Sequence, residues 1–64
     1  MSDADRRQEL LSTLRDQAEY IAGEAMEPLS KDHVEHARRN LLESATPDDA
    51  AVLRNITTDE VLAS

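Results

Sequence analysis

Two histidines, fourteen carboxylates and seven cationic side chains are the groups in this 64-residue chain that could do chemistry. His33 and His36 stand three apart, close to Asp32 and Glu43, and imidazole with carboxylate is a donor set that suits zinc. A protein zinc site takes three or four ligands, and this pair supplies two. On a helix the two rings fall on neighbouring faces. The favoured reading is two exposed helix residues, with His36 paired to Asp32 or facing solvent. A pH-responsive role is open to any histidine beside carboxylates, and the spacing here makes none specific.

Nucleophilic catalysis asks for an activated Ser, Cys or Lys beside an oriented base. The serines fall at helix caps, on helix surfaces or at the last position, and cysteine is absent. Disulfides, thiolate metal sites and thiol redox chemistry are excluded with it. Gly23 is the single glycine, so no glycine-rich loop exists to cradle phosphate. The adjacent carboxylates Asp48 and Asp49 have an adequate explanation at a helix start. The expectation is a protein with no catalytic residues, no cofactor and no metal.

Recognition is the remaining chemistry. The formal charge is −7, and it opposes direct binding to DNA, RNA or anionic membrane, which need clustered positive charge. Arg6-Arg7 and Arg38-Arg39 are the only basic doublets. The first lies among Asp3, Asp5 and Glu9 and the second follows Glu35, so intramolecular ion pairing explains both. Residues 1–28 hold seven acids and three arginines, residues 29–45 three acids and three cations, and residues 46–64 four acids and one arginine. The two outer segments are acidic and the middle one is neutral.

Helices must position these groups. Ser2 can cap the first, with Asp3 and Asp5 complementing the positive end of its dipole. Leu10, Leu14, Ala18, Ile21 and Ala25, widened by Leu11 and Ala22, recur at the period of an amphipathic helix. Glu27-Pro28 is the predicted stop, which gives a helix over about 3–26. Ser30 reads as a second cap, with Leu29 and Val34 as a hydrophobic staple. Val34, Ala37, Leu41, Leu42 and Ala45 then predict a helix over about 31–44, with Glu35 and Arg39 as an i,i+4 pair. Thr46-Pro47-Asp48-Asp49 opens a short helix over about 47–54, with Asn55 suited to the left-handed residue after its end. Thr57-Thr58-Asp59-Glu60 is a capping box for a last turn over about 58–63. A strand over Ala51–Thr57 is the alternative, but a lone strand has no partner.

The prediction is an all-α single domain: a helical hairpin crossed by one or two short C-terminal helices. Fifteen large apolar side chains after Met1 make a thin core, and domains of this size usually lean on disulfides, metal or a partner chain. No apolar run approaches membrane-span length and no leader-like segment is present, so the cytoplasm is the expected location. The last two helices could suggest a helix-turn-helix, but Asp59 and Glu60 on the second would repel phosphate.

The functional expectation is a small acidic protein that regulates or inhibits a larger protein by stoichiometric binding. Asp5, Glu9, Asp16, Glu19, Glu24 and Glu27 lie outside the main apolar stripe of the first helix. With Asp48 and Asp49 they are the candidate partner-binding residues. One alternative is that they imitate phosphates and occupy the basic groove of a nucleic-acid-binding protein, as an inhibitor of host defence or transcription. Another is a structural subunit that forms a helical homodimer. Leu11, Met26, Leu42, Val61 or Leu62 could remain exposed as an apolar docking surface, and Val61-Leu62-Ala63-Ser64 could serve as a docking tail.

Overall fold

The computed structural model describes residues 2–64, which form four helices: α1 (Asp3–Glu24), α2 (Lys31–Ser44), α3 (Pro47–Asn55) and α4 (Thr58–Ala63). The chain is all-α, with no strand among the described residues. The residues offered as an alternative strand lie mostly in α3. The twenty-two residues of α1 extend roughly 33 Å at 1.5 Å per residue, close to the longest dimension of the molecule, 36 Å. The helix α2 packs back along α1, and α3 and α4 each rest on both members of this hairpin. The backbones of the two short helices stay more than 8 Å apart among the described residues, and their side chains meet the same core.

Every helix start follows its cap signal. Ser2 Oγ accepts from the Asp5 amide at 3.2 Å, and Thr46 Oγ1 accepts from the Asp49 amide at 3.2 Å, with Pro47 in the first turn. The Thr57–Glu60 box is reciprocal: Glu60 N–H donates to Thr57 Oγ1 at 3.1 Å, and Thr57 N–H donates to Glu60 Oε1 at 3.0 Å.

The helices α2 and α4 end where predicted, whereas the ends of α1 and α3 depart from expectation. The first helix stops at Glu24, before the Glu27-Pro28 signal is reached. Glu27 N–H donates to Ala22 O at 2.9 Å and Met26 N–H to Gly23 O at 3.1 Å, with Met26 at φ 56. This is a Schellman closure, which satisfies the last carbonyls before proline can break the ladder. It leaves Ala25 exposed at the helix end, off the apolar stripe to which its spacing assigned it. Asn55 is the last residue of α3, not a left-handed residue beyond it. Ile56 turns at once into extended backbone because its side chain is buried in the core, 1% exposed.

Leu10, Leu11, Leu14 and Ala18 meet Val34 and Ala37 across the hairpin, and Leu53, Ile56 and Val61 close the cluster from the short helices. Ile21, Leu29, Leu41, Leu42, Ala45, Val52 and Leu62 pack around it, partly buried. Of the five side chains proposed as an exposed docking surface, Leu11 and Val61 are buried and Leu42 and Leu62 half-buried. Only Met26 is exposed. Val61 is fully enclosed, so the last four residues are not a free tail.

Candidate functional site

The arrangement of the arginines decides which acids remain available. Arg6 forms a two-point contact with Asp49, Nε to Oδ1 at 3.0 Å and Nη2 to Oδ2 at 2.5 Å, which ties α1 to the first turn of α3. Arg7 grips Glu60 in the same forked way, 2.7 Å on each side, at the capping box of α4. Two planar donors facing two carboxylate oxygens fix orientation as well as distance. The other ends of the short helices are held by guanidinium groups donating to carbonyls. Arg38 Nη1 donates to Leu53 O and, at 2.6 Å, to Ile56 O beyond the end of α3. Arg15 Nη1 donates to Val61 O at 2.8 Å, Leu62 O at 3.2 Å and Ser64 O, while its Nε pairs with Glu19 at 2.7 Å. Each short helix thus has a cation on its C-terminal carbonyls, where the helix dipole is negative, and an acid–arginine fork at its start.

Proton equilibria follow this geometry. The Arg7 guanidinium and then the Thr57 amide hold the Glu60 carboxyl down at about 2, against an ordinary 4.5. Arg6 lowers Asp49 in the same manner, and Asp49 in turn raises Arg6. Glu35 is lowered chiefly by the Thr58 hydroxyl, which donates to it at 2.7 Å, and less by Arg38. The expected Glu35–Arg39 pair is replaced by Glu35–Arg38 at 3.2 Å, because Arg38 faces the short helices and draws the carboxylate there.

The histidines separate. His33 is buried, 7% exposed, contrary to its reading as a surface residue. Its Nδ1 accepts the Ser30 amide hydrogen at 3.0 Å, the role Glu or Gln plays in a capping box. With Nδ1 an acceptor, the ring proton sits on Nε2, which lies 3.1 Å from Glu27 Oε1 as its donor. Both nitrogens are engaged, and His36 is exposed on another face. Among the described residues no group of three or more His, Cys, Asp or Glu is placed to hold a metal ion.

The candidate acids divide accordingly. Asp49 is half-buried and committed to Arg6, and Glu27 is directed to His33. Asp5, Asp16, Glu24 and Asp48 are exposed, with no ion pair among the described residues. Glu9 and Glu19 are exposed and make local pairs with Arg6, at 3.1 Å, and Arg15. At 100° per residue, Asp5, Glu9, Asp16 and Glu19 fall within an arc of roughly 80° on the side of α1 opposite its buried stripe. Ser12 and Gly23 share that arc. The structure therefore gathers four of the eight candidates on one face, sets Glu24 about 60° round the helix from it toward the buried stripe, and places Asp48 apart on α3. Shallow depressions run along this face, lined by Asp5, Gln8, Glu9, Ser12 and Thr13 and by Gln8, Asp16, Glu19 and Ser64 among others. They are open to solvent and enclose no converging catalytic set.

This face lies outside the core, as its spacing predicts, and the local ion pairing expected of the arginine doublets is present as Arg6–Glu9 and Arg38–Glu35, but the further partners of Arg6 and Arg7 are unforeseen. Their carboxylate partners lie 43 and 53 residues away, beyond any local pattern. The Ser30-x-x-His33 spacing did contain a signal, since the fourth position of a cap box asks for an acceptor. Comparison with protein-family models, curated proteins and solved structures returns no match.

Proposed function

We propose that this chain acts by stoichiometric binding to a larger protein with a basic surface, and regulates or inhibits it through the outer face of α1. The observation that supports this is the disposition of charge. Arg38 and the Arg6, Arg7 and Arg15 side chains are drawn to α3 and α4, so Asp5 and Asp16 on the face and Glu24 farther round the helix keep unneutralised carboxylates in water. A rigid helix presenting such a row attracts a cationic surface and orients it during approach. No membrane-spanning helix is present among the described residues, and the cytoplasm is the compartment this reading assumes.

Close imitation of nucleic acid is the weaker form of the idea. From Asp5 to Glu19 the face runs about 21 Å along the helix axis. It offers four carboxylates, two of them locally paired, where one strand of DNA would display about six phosphates. The charge is sparse for a phosphate replica and ample for a docking face.

The test uses immobilised wild-type protein beside an Asp5→Asn, Asp16→Asn, Glu24→Gln variant, offered to a lysate of the source cells at low and high salt. The expected result is one partner held in fixed ratio, with affinity at least tenfold weaker for the variant and falling steeply with salt as the screening length shrinks from about 10 Å at 0.1 M to 3 Å at 1 M. A partner indifferent to both salt and the substitutions would overturn the proposal. So would a concentration-dependent dimer with no heterologous partner.

A further inference from the structure

The surface changes character over the last turn of α1 and the closing turn that follows it. Tyr20 is 66% exposed and Met26 is 92% exposed, the large apolar side chains left most in water among the described residues. Between them lies Gly23, where an added Cβ would meet nothing within 4 Å and the backbone is not left-handed. Neither packing nor conformation in this chain calls for a glycine there. Met26 has the reverse problem: its φ of 56 suits glycine or asparagine, and its side chain gains no burial by being present. Three departures from what fold stability favours coincide within seven residues, and such departures concentrate where function is served.

We propose that residues Tyr20–Met26 form the contact point for a basic amphipathic helix of the partner, with apolar side chains seated on Tyr20 and Met26 and Gly23 allowing close backbone approach. The inference rests on the acidic-face reading and narrows it to one end of α1. Charge selects the occupant. Asp16 and Glu24 stand one turn on either side of Tyr20, and Glu19 one turn before Gly23. No lysine or arginine occurs between Arg15 and Lys31. A second copy laid on this surface would set like charges against each other. A lysine- or arginine-bearing helix meets carboxylates at its flanks and the Tyr20 ring as a cation–π acceptor.

The test uses the full chain and two synthetic helical peptides of equal lysine content, one with a leucine stripe and one with serines in its place. Amide NMR shifts map the contact, and titrations give affinities. The leucine peptide is expected to bind at least tenfold more tightly and to perturb Tyr20–Glu27 most. Tyr20→Ser and Met26→Ser should each weaken it about tenfold. Gly23→Gln should weaken binding while raising the thermal midpoint, which separates lost contact from lost fold. Equal binding of the two peptides along Asp5–Glu19, unaffected by Tyr20→Ser, would overturn this inference and leave the acidic-face reading standing. Failure of both peptides to bind at low salt would overturn both. A dimer seen by sedimentation and broken by Tyr20→Ser would overturn it in favour of a second copy.

Discussion

Replacing Arg38 with methionine should cost this protein a large share of its stability. The side chain is only 12% exposed, and its Nη1 donates to Leu53 O and Ile56 O. Leu53 O belongs to the last turn of α3, whose carbonyls have no intrahelical partner. Methionine preserves much of the apolar stem and removes the donors. Hydrogen bonds to a charged group contribute about 1.5–3 kcal/mol each, and the partial exposure and local relaxation favour the lower end, so losing two predicts about 3 kcal/mol. The whole fold is worth roughly 3–10 kcal/mol at 0.05–0.15 kcal/mol per residue. With a urea slope of about 1 kcal/mol/M for a small protein, the midpoint of the helical circular-dichroism transition should fall by about 3 M. Arg38→Lys should lie between, since an ammonium lacks the planar fork. Glu35→Gln should lose much less, because it leaves the carbonyl contacts intact. If Arg38→Met stays within about 0.5 kcal/mol of wild type, as at an ordinary surface position, then the carbonyl cap carries no weight and the reasoning fails.

Three further outcomes follow from the same geometry. Gly23→Ala should stabilise the fold by about 1 kcal/mol through helix propensity, and Met26→Gly by about 1 kcal/mol through relief of the left-handed backbone, both read from denaturant midpoints; a loss in either variant would contradict the helix-end geometry. Because Glu60, Asp49 and Glu35 are held below their ordinary values in the fold, their contribution to stability is fully present above pH 4.5 and is lost at lower pH, for Glu60 as pH falls toward about 2. Acid unfolding should therefore set in below pH 4.5 and be blunted in the already weakened Glu60→Gln, whereas an unchanged acid profile in that variant would deny the Arg7–Glu60 contact its role. Ring nitrogen NMR signals of His33 should place a proton on Nε2 and leave Nδ1 bare, and His33→Ala should cost about 1–3 kcal/mol while His33→Gln keeps part of it; a proton on Nδ1 would rule out the cap.

What could be read from residue order was what is local. Ser2, Thr46-Pro47 and Thr57-x-x-Glu60 announce helix starts within four residues, and all three helices begin there. The ends of α1 and α3 are set by less local forces: burial of Ile56 ended the turn that Asn55 was suited to close, and a strained Met26 took the place of glycine. The acidic face was legible because Asp5, Glu9, Asp16 and Glu19 follow helical spacing. Its significance was not, because that depends on Arg6, Arg7 and Arg38 reaching partners far along the chain. Burial of His33 was hidden for a related reason: a polar ring enters the interior only when both nitrogens find partners, here Ser30 and Glu27.

Cations turned toward the short helices and acids left facing water define the working surface proposed for this protein. Guanidinium N–H signals of the six arginines, assigned by NMR and followed for exchange with water, test this directly. Arg6, Arg7, Arg15 and Arg38 should give resolved, slowly exchanging signals, and Arg39 and Arg54, which form no ion pair among the described residues, should exchange fast. Six arginines exchanging alike would contradict it.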